Sequence, residues 1–200
     1  MAVGNLDHFV RTYDHNLEPK FCQRLIALFA SMERFQRYNG RGVRAGLEDS
    51  AWTELNVSRV SDREFVAMFR IWMDQALDRY NRDVGLVMPI PNTGRNSDLV
   101  MKRYRAGERE QFQLHFDAIN HVSNRYLVLL WYLNDVEEGG ATRFPQLDIE
   151  VAPRAGRLLM FPPYWMYQHV GMPPVAGDKY IISTYLLFEQ PPATTGAQAS

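Results

Sequence analysis

The chain has 200 residues, of which 46% are hydrophobic, and its 22 basic and 23 acidic side chains give a formal net charge of −1. This length and composition predict one folded domain with a sizeable core. A near-neutral chain has no bulk charge with which to attract polyanions, so we expect neither nucleic acid nor a membrane surface as a partner. The single Cys22 cannot form an internal disulfide, which indicates a reducing compartment.

The beginning of the chain resembles no targeting signal. Residues 1–10 lack the basic and apolar blocks of a signal peptide, and no segment reaches membrane-spanning length. We therefore expect a cytoplasmic protein without a membrane partner, present as a monomer or a weak homo-oligomer.

Two amphipathic helices are predicted in the first half of the chain. Residues 17–38 carry apolar side chains at helical spacing, with Asn16 as a candidate N-cap. Residues 61–64 fit a capping box and predict a second helix that continues through Tyr80. Between the helices, residues 39–46 contain three glycines and no apolar period, so a mobile loop is expected there.

Short strands are predicted in the second half. Residues 85–98 sustain neither a helix nor a central strand because of their prolines, glycines and asparagines. The strands predicted after them are 99–104, 111–116, 126–133, 149–151, 157–161, 165–170 and 179–188. This pattern indicates a mainly β fold with flanking α-helices, a double-stranded β-helix or jelly roll. We expect one domain over residues 1–189, with helical support in 1–84, a jelly-roll core in 99–188 and a disordered tail at 190–200.

Three residues have the composition of an open metal site. His115 and Asp117 lie two apart in a predicted strand and so project from the same face, and His169 ends a later predicted strand. Two imidazoles and one carboxylate leave coordination positions free, as in non-haem Fe(II) oxygenases. A His and an Asp two apart are common by chance, and His121 is an alternative third ligand. Because His121 lies in a loop-like stretch, we predict His169.

The motifs of the second half follow one another in a specific order. They are Tyr104-Arg105-Ala106-Gly107, His115-x-Asp117, Tyr132-Leu133-Asn134-Asp135, Gly139-Gly140-Ala141-Thr142-Arg143-Phe144-Pro145, Pro153-x-x-Gly156, His169 and Pro174-Val175-x-Gly177-x-Lys179. As a set they resemble the prolyl 4-hydroxylase-like branch of the Fe(II)/2-oxoglutarate dioxygenases. The resemblance covers roughly residues 99–188.

The resemblance implies that His115, Asp117 and His169 bind Fe(II) and that Lys179 pairs with the distal carboxylate of 2-oxoglutarate. A charge count supports the second assignment. Fe²⁺ with one aspartate carries +1, and the chelating carboxylate of 2-oxoglutarate neutralises it, so the other carboxylate needs a cation in a partly desolvated pocket. Lys179 supplies that cation.

Five further positions match the family's pattern. Tyr104, Tyr132 and Ser183 match positions that face 2-oxoglutarate, although each tyrosine could equally be a core residue. Arg125 matches a position that faces the substrate. Tyr185 stands where relatives that hydroxylate peptidyl proline often carry tryptophan, so we expect a different wall of the substrate pocket.

These assignments imply a dioxygenase that couples the decarboxylation of 2-oxoglutarate, giving succinate and CO₂, to hydroxylation of an unactivated C–H bond by O₂. A prolyl residue of a peptide or protein is the leading substrate, and a role for ascorbate is left open. One alternative is the same chemistry on a free amino acid or other small metabolite, since the loops at 39–50 and 85–98 could form a lid or the walls of a groove. Another is a non-catalytic jelly-roll module that holds a metal such as zinc, but such a module would not need Lys179.

Overall fold

Strands dominate the computed structural model, which describes residues 5–189. In chain order the strands are β1 (Arg11–Tyr13), β2 (Arg37–Gly40), β3 (Ala51–Asn56), β4 (Val100–Tyr104), β5 (Phe112–His115), β6 (Arg125–Tyr132), β7 (Glu138–Gly139), β8 (Thr142–Phe144), β9 (Ile149–Val151), β10 (Leu158–Phe161), β11 (His169–Gly171), β12 (Pro174–Ala176) and β13 (Lys179–Leu187). The helices are α1 (Pro19–Ser31), α2 (Val57–Val60) and α3 (Arg63–Val84), with 3₁₀ turns at Leu6–Phe9, Glu33–Phe35, Asn120–Val122, Pro145–Leu147 and Trp165–Tyr167. The predicted tail at 190–200 lies outside the described residues.

Two antiparallel sheets form the body of the fold. The larger has the order β1-β10-β6-β13-β4-β3-β2, and the smaller has the order β5-β11-β8-β9, with β12 and β7 paired separately. The sequence predicts a mainly β double-stranded β-helix with flanking helices, and this fold class is confirmed. Within the described part of the chain, no helix is long and apolar enough to cross a membrane.

Strand β6 separates two layers of core. Its alternate residues Leu127, Leu129 and Trp131 join the apolar cluster that also contains Phe69 of α3. Val128 and Tyr132, which point to the opposite face, join a second cluster with side chains of the smaller sheet. Because both faces of β6 are covered, its residues are almost all apolar, as expected for a central strand.

The first 56 residues are less helical than predicted. Strands β1, β2 and β3 lie in the larger sheet, which corrects the assignment of residues 1–84 to helical support. The helix predicted at 17–38 ends at Ser31, and β2 occupies the start of the predicted loop at 39–46. Asn16 is not the N-cap: Glu18 precedes the helix, and the Asn16 side chain instead accepts a hydrogen bond from the Trp131 indole at 2.6 Å.

Two predicted boundaries in the remaining chain are also wrong in detail. The cap of α3 is Asp62, whose carboxylate accepts from the backbone N–H of Phe65 at 2.8 Å, so Ser61 does not begin a capping box. The segment predicted as a strand at 165–170 is a 3₁₀ turn followed by β11. Its aromatic residues favour a strand by propensity, but Trp165 is 65% exposed and has no neighbouring strand to pair with.

Gly156 joins the beginning of the chain to the jelly roll. Its carbonyl oxygen accepts from the backbone N–H groups of Asn16 and Leu17 at 2.9 and 3.1 Å. Its own N–H donates to the backbone carbonyl oxygen of Tyr132 at 2.9 Å. Its φ is +78°, and a Cβ at this position would lie 2.1 Å from the carbonyl oxygen of Leu17. Both the backbone conformation and the close approach therefore require glycine.

We predict that Gly156→Ala destabilises the protein by more than about 3 kcal/mol, because backbone atoms must move apart. Gly177→Ala is the matched control, since Gly177 has a φ of +81° but open space around its missing side chain. That variant should lose only about 1–2 kcal/mol, the cost of the left-handed conformation. Urea unfolding of both variants provides the measurement, and equal losses would contradict the role given to the close approach.

Candidate metal centre

Pairing between two strands brings the predicted metal ligands together. His115 of β5 is the direct cross-strand partner of His169 of β11, and their ring centroids lie 4.2 Å apart. The backbone N–H groups of Asp117 and Ala118 both donate to the carbonyl of Pro163 at 3.0 Å, which turns the carboxylate of Asp117 toward the imidazoles. One ligand atom from each of His115, Asp117 and His169 lies within 4.8 Å of the others.

Both imidazoles present a free nitrogen to this cluster. The Nδ1 of His115 lies 2.7 Å from the carbonyl oxygen of Gln113, and the Nδ1 of His169 lies 3.1 Å from that of Tyr167. Because a carbonyl oxygen only accepts, each Nδ1 carries the proton and each Nε2 keeps its lone pair. Each Nε2 lies 3.5 Å from an oxygen of Asp117. This is the tautomer in which histidine binds a metal through Nε2.

Asp117 is a buried carboxylate with one unsatisfied oxygen. Its Oδ1 accepts from the hydroxyl of Tyr185 at 2.8 Å, whereas its Oδ2 is buried without a hydrogen-bond partner. Burial alone raises the pKa of Asp117, but the neighbouring His169 and His115 and the Tyr185 hydroxyl hold it well below its usual range. A divalent cation would satisfy Oδ2, so the three residues fit a metal ion.

His169 is neutral at physiological pH. Burial, followed by repulsion from His115, lowers the pKa of His169 to about 4. A neutral imidazole is the form that coordinates a metal. The alternative ligand His121 lies in the exposed 3₁₀ turn Asn120–Val122 and is not part of the cluster.

Lys179 lies at the inner end of a small cavity that is also lined by His115, Asp117 and His169. It pairs with Tyr104 across β13 and β4, is 2% exposed, and donates to the carbonyl oxygens of Gly140 and Met172 at 2.9 and 3.3 Å. Its ammonium also lies 4.6 Å from the centre of the Tyr104 ring. Burial, followed by repulsion from Lys102, lowers the pKa of Lys179 to about 7. An anion bound here would restore the charge of this lysine.

The other residues predicted to face 2-oxoglutarate divide into two groups. Tyr104 and Ser183 line the cavity that joins Lys179 to the three-residue cluster. Tyr132 does not line it, because its buried hydroxyl donates to Oγ1 of Thr142 at 2.7 Å. The inner cavity holds about 40 Å³, space for a few water molecules. A longer ligand anchored at Lys179 must therefore extend toward the metal cluster.

Arg125 and Tyr185, predicted to contact the substrate, support Asp117. The guanidinium of Arg125 lies 3.8 Å from the centre of the Tyr185 ring and donates to the backbone carbonyl of Asp117 at 3.2 Å. Tyr185 in turn holds the carboxylate of Asp117. Both residues also line cavities outside the cluster, so contact with a substrate is compatible with this role.

Two outer cavities of about 490 and 370 Å³ flank the metal cluster. Both are lined by Arg44, Phe112, Asp117 and Arg125, so the two cavities share a wall that contains Asp117. Arg44 belongs to the loop at 39–50, for which a lid or a groove wall is expected, whereas Lys102 is not among the predicted site residues. Lys102 could have been found by alternation, since it lies two residues before Tyr104 on the same face of β4.

Residues 99–187 match the sequence model of the 2OG-Fe(II) oxygenase superfamily, a segment that contains the three clustered residues and Lys179. Fe(II) and 2-oxoglutarate are the cofactor and co-substrate of this family.

Solved structures of prolyl hydroxylases share the fold. The viral collagen prolyl hydroxylase vCPH from Paramecium Bursaria Chlorella virus-1, in its 2-oxoglutarate complex, is 18% identical and has a TM-score of 0.62, with 94% of this chain and all of that chain covered. A Pseudomonas putida prolyl-4-hydroxylase is 16% identical, with a TM-score of 0.67 and coverage of 92% and 94%.

A third structure was solved with a peptide. The Trichoplax adhaerens prolyl hydroxylase, in complex with a peptide fragment of the hypoxia inducible factor oxygen degradation domain, is 18% identical. Its TM-score is 0.68, and the match covers 94% of this chain and 87% of that chain. No curated protein sequence matches the chain significantly.

We predict that Tyr185→Phe weakens the binding of Mn²⁺, used as a redox-stable probe, by roughly tenfold to hundredfold. The reason is that the variant removes the donor that fixes the carboxylate of Asp117. Tyr126→Phe is the matched control, because it also removes a hydroxyl donor, 2.7 Å from the carbonyl of Pro91, but at a distance from the metal cluster. Calorimetric titration measures both affinities, and equal effects would contradict the support given by Tyr185.

Proposed function

We propose that this protein is an Fe(II)- and 2-oxoglutarate-dependent hydroxylase that acts on a prolyl residue of a peptide or protein. The observation that carries the proposal is the buried cluster of His115, Asp117 and His169, with one carboxylate oxygen unpartnered, inside a segment that matches the oxygenase family. With Fe(II) and 2-oxoglutarate bound, such a site uses O₂ to place one oxygen atom on the substrate carbon and the other in succinate, with release of CO₂.

In this proposal the protein residues supply coordination, clamping and orientation. His115, Asp117 and His169 hold the metal through two free Nε2 atoms and Oδ2. Lys179 has donated two hydrogen bonds to carbonyls, which leaves its third N–H for the distal carboxylate of 2-oxoglutarate. Tyr104 and Ser183 complete the wall around that carboxylate. This buried cation argues against a non-catalytic metal module, which would have no anion to bind at this position.

A peptide substrate is favoured over a small metabolite by the shape of the site. The two outer cavities meet at Asp117, so an extended chain could lie across the metal with residues on both sides. The structural similarity to the Trichoplax adhaerens prolyl hydroxylase, which was solved with a bound peptide, also supports a peptide substrate. Strands β1, β2 and β3 complete the larger sheet, so we propose that residues 1–189 act as one domain.

The proposed reaction is tested by incubating the protein with Fe(II), 2-oxoglutarate, ¹⁸O₂ and peptides that contain proline. Mass spectrometry should find one labelled oxygen on the proline and one in succinate. Succinate formed without any peptide product would retain the oxygenase chemistry and remove prolyl peptides as its substrate. No succinate under any condition would overturn the proposal.

We expect Asp117→Ala and His169→Ala each to abolish peptide-dependent turnover and to weaken Mn²⁺ binding strongly, because the ion loses its only protein anion or one of two imidazoles. His121→Ala is the control and should change turnover modestly at most. Thermal unfolding of each variant separates the loss of a ligand from the loss of the fold. Full turnover in His169→Ala together with none in His121→Ala would reassign the third ligand.

We expect Lys179→Met to reduce the affinity for 2-oxoglutarate by tens-fold to thousands-fold, since a lost buried charge-assisted contact costs on the order of 2–5 kcal/mol. Mn²⁺ affinity should change little. Methionine preserves most of the apolar packing of the lysine stem. Anaerobic titrations, first with Mn²⁺ and then with 2-oxoglutarate, measure the two affinities separately.

The same lysine predicts a pH dependence. The pKa of Lys179 in the free protein is about 7, so above pH 7 the neutral lysine must take up a proton when the dianion binds. The affinity of the wild-type protein for 2-oxoglutarate should therefore be highest below pH 7 and fall by up to about tenfold per pH unit above it. In Lys179→Met this slope should vanish, and an unchanged slope would assign the titration to another group.

A further inference from the structure

Lys102 is a cation in the active-site region that the proposed chemistry does not use. The chain has three lysines, at positions 20, 102 and 179. Lys20 is exposed on α1, and Lys179 faces the inner cavity, whereas Lys102 lines both the inner cavity and the outer cavity of about 370 Å³. Its ammonium therefore stands at the junction between the pocket proposed for 2-oxoglutarate and the groove proposed for the substrate.

The side chain of Lys102 is held by aromatic rings and not by a carboxylate. Its ammonium lies 5.2 Å from the ring centres of both Trp52 and Phe112, which are themselves stacked. Glu54 is its cross-strand neighbour in β3, but the carboxylate of Glu54 accepts from the Trp52 indole at 2.7 Å. Among residues 5–189 no carboxylate lies within ion-pair distance of the Lys102 ammonium, so this cation forms no salt bridge, and Glu54 and Asp117 act on it only at longer range.

The charges around the outer cavity leave a positive excess. Its wall contains the cations Arg44, Lys102 and Arg125. The carboxylates on the same wall are Glu54, Asp98 and Asp117. Asp98 forms an ion pair with Arg59 outside the wall at 3.4 Å, and Asp117 belongs to the metal cluster. Three cations therefore face one remaining carboxylate.

The charges of the metal ion and its ligands do not balance this excess of positive charge. A divalent ion, Asp117 and the two carboxylates of 2-oxoglutarate sum to −1, which a protonated Lys179 balances. Lys102 is left over, beside the position that a substrate must occupy to reach the metal. A cation partly removed from water and without a counterion favours an anionic ligand.

We propose that Lys102 recognises a carboxylate of the primary substrate, so that the protein selects an acidic peptide in which aspartate or glutamate adjoins the target residue. This inference rests on the proposed function for the position of the substrate. The carboxylate of a free amino acid would present the same chemistry from a smaller source. Trp52 and Phe112 lie beside the ammonium and restrict its motion, which reduces the entropy lost when it binds an anion.

The experiment measures binding as well as turnover. The protein, loaded anaerobically with Mn²⁺ and 2-oxoglutarate, is titrated with fluorescent peptides in which proline is flanked on either side by aspartate, asparagine or lysine. Wild type should bind the aspartate peptide roughly tenfold to hundredfold more tightly than the asparagine peptide, as expected for a charge-assisted contact. Unlabelled N-acetylproline and free proline, used as competitors, distinguish a peptide side chain from a small-molecule carboxylate as the source of the anion.

Variants assign the preference to Lys102. Lys102→Met should reduce the ratio of the two affinities to about one, Lys102→Arg should retain most of it, and Lys20→Met is the matched control with an unchanged ratio. A ratio near one in the wild type overturns the inference whatever the variants do, and so does a ratio that survives in a folded Lys102→Met protein.

The outcome separates this inference from the proposed function. Selective binding of acidic peptides without any hydroxylated product would support the role of Lys102 and remove prolyl hydroxylation. Efficient hydroxylation of the asparagine peptide, with no preference for the aspartate peptide, would retain the proposed function and overturn the role of Lys102.

Discussion

A carboxylate removed from water with one oxygen unpaired is unfavourable, and Asp117 is in this situation. The neighbouring groups fit this constraint. The Tyr185 hydroxyl satisfies one oxygen, and the imidazoles of His115 and His169 direct their N–H groups away, toward carbonyls, so that neither donates to the other oxygen. A bound cation would satisfy Oδ2 of Asp117, for which the described residues supply no hydrogen-bond donor. The cluster is therefore built to be stable with a divalent ion between its three ligand atoms.

The two lysines of the active-site region, Lys102 and Lys179, are partly or fully buried cations that favour the binding of anions. Burial lowers the pKa of both Lys102 and Lys179, and repulsion from Lys102 lowers the pKa of Lys179 further. Lys179 directs its hydrogen bonds to backbone carbonyls, whereas Lys102 rests against aromatic faces. Both lysines line the inner cavity beside the metal cluster, and only Lys102 also lines the outer cavity of about 370 Å³. Under the proposed function, this arrangement would let Lys179 bind the co-substrate and Lys102 bind the substrate.

The sequence predicted the site better than the elements that carry it. His115, Asp117 and His169 do lie together, but Asp117 follows the end of β5, and backbone hydrogen bonds to Pro163 position it instead of strand alternation. The strand that carries His169 begins only at that residue. The direction of the Tyr132 hydroxyl depends on Thr142, a contact that no local pattern encodes. From the sequence, Lys102 looks like an exposed charged residue of a strand. The aromatic rings beside its ammonium, those of Trp52 and Phe112, come from two other strands and are not visible in the local pattern.

The early strands were missed for a similar reason. Residues 51–53 are all buried, so the sequence lacks the alternation of apolar and polar residues that marks a half-exposed strand. β3 is recognised as a strand only from its pairing with β2 and β4. The tetrapeptide of β2 contains asparagine and glycine, which favour turns, and pairing with β3 overrides this preference. Local propensity thus failed where the strand is formed by a partner distant in sequence.

These early strands occupy both margins of the larger sheet. β1 covers the free side of β10, and β3 with β2 covers the free side of β4, so the segment that matches the oxygenase family has both of its outer strands protected by residues 11–56. Unprotected strand edges promote aggregation. During synthesis β2 and β3 can pair with each other early, but β1 cannot complete its pairing with β10 until residue 160 has appeared. The larger sheet therefore closes only after most of the chain has been made, and the nascent chain carries unpaired edge strands until then.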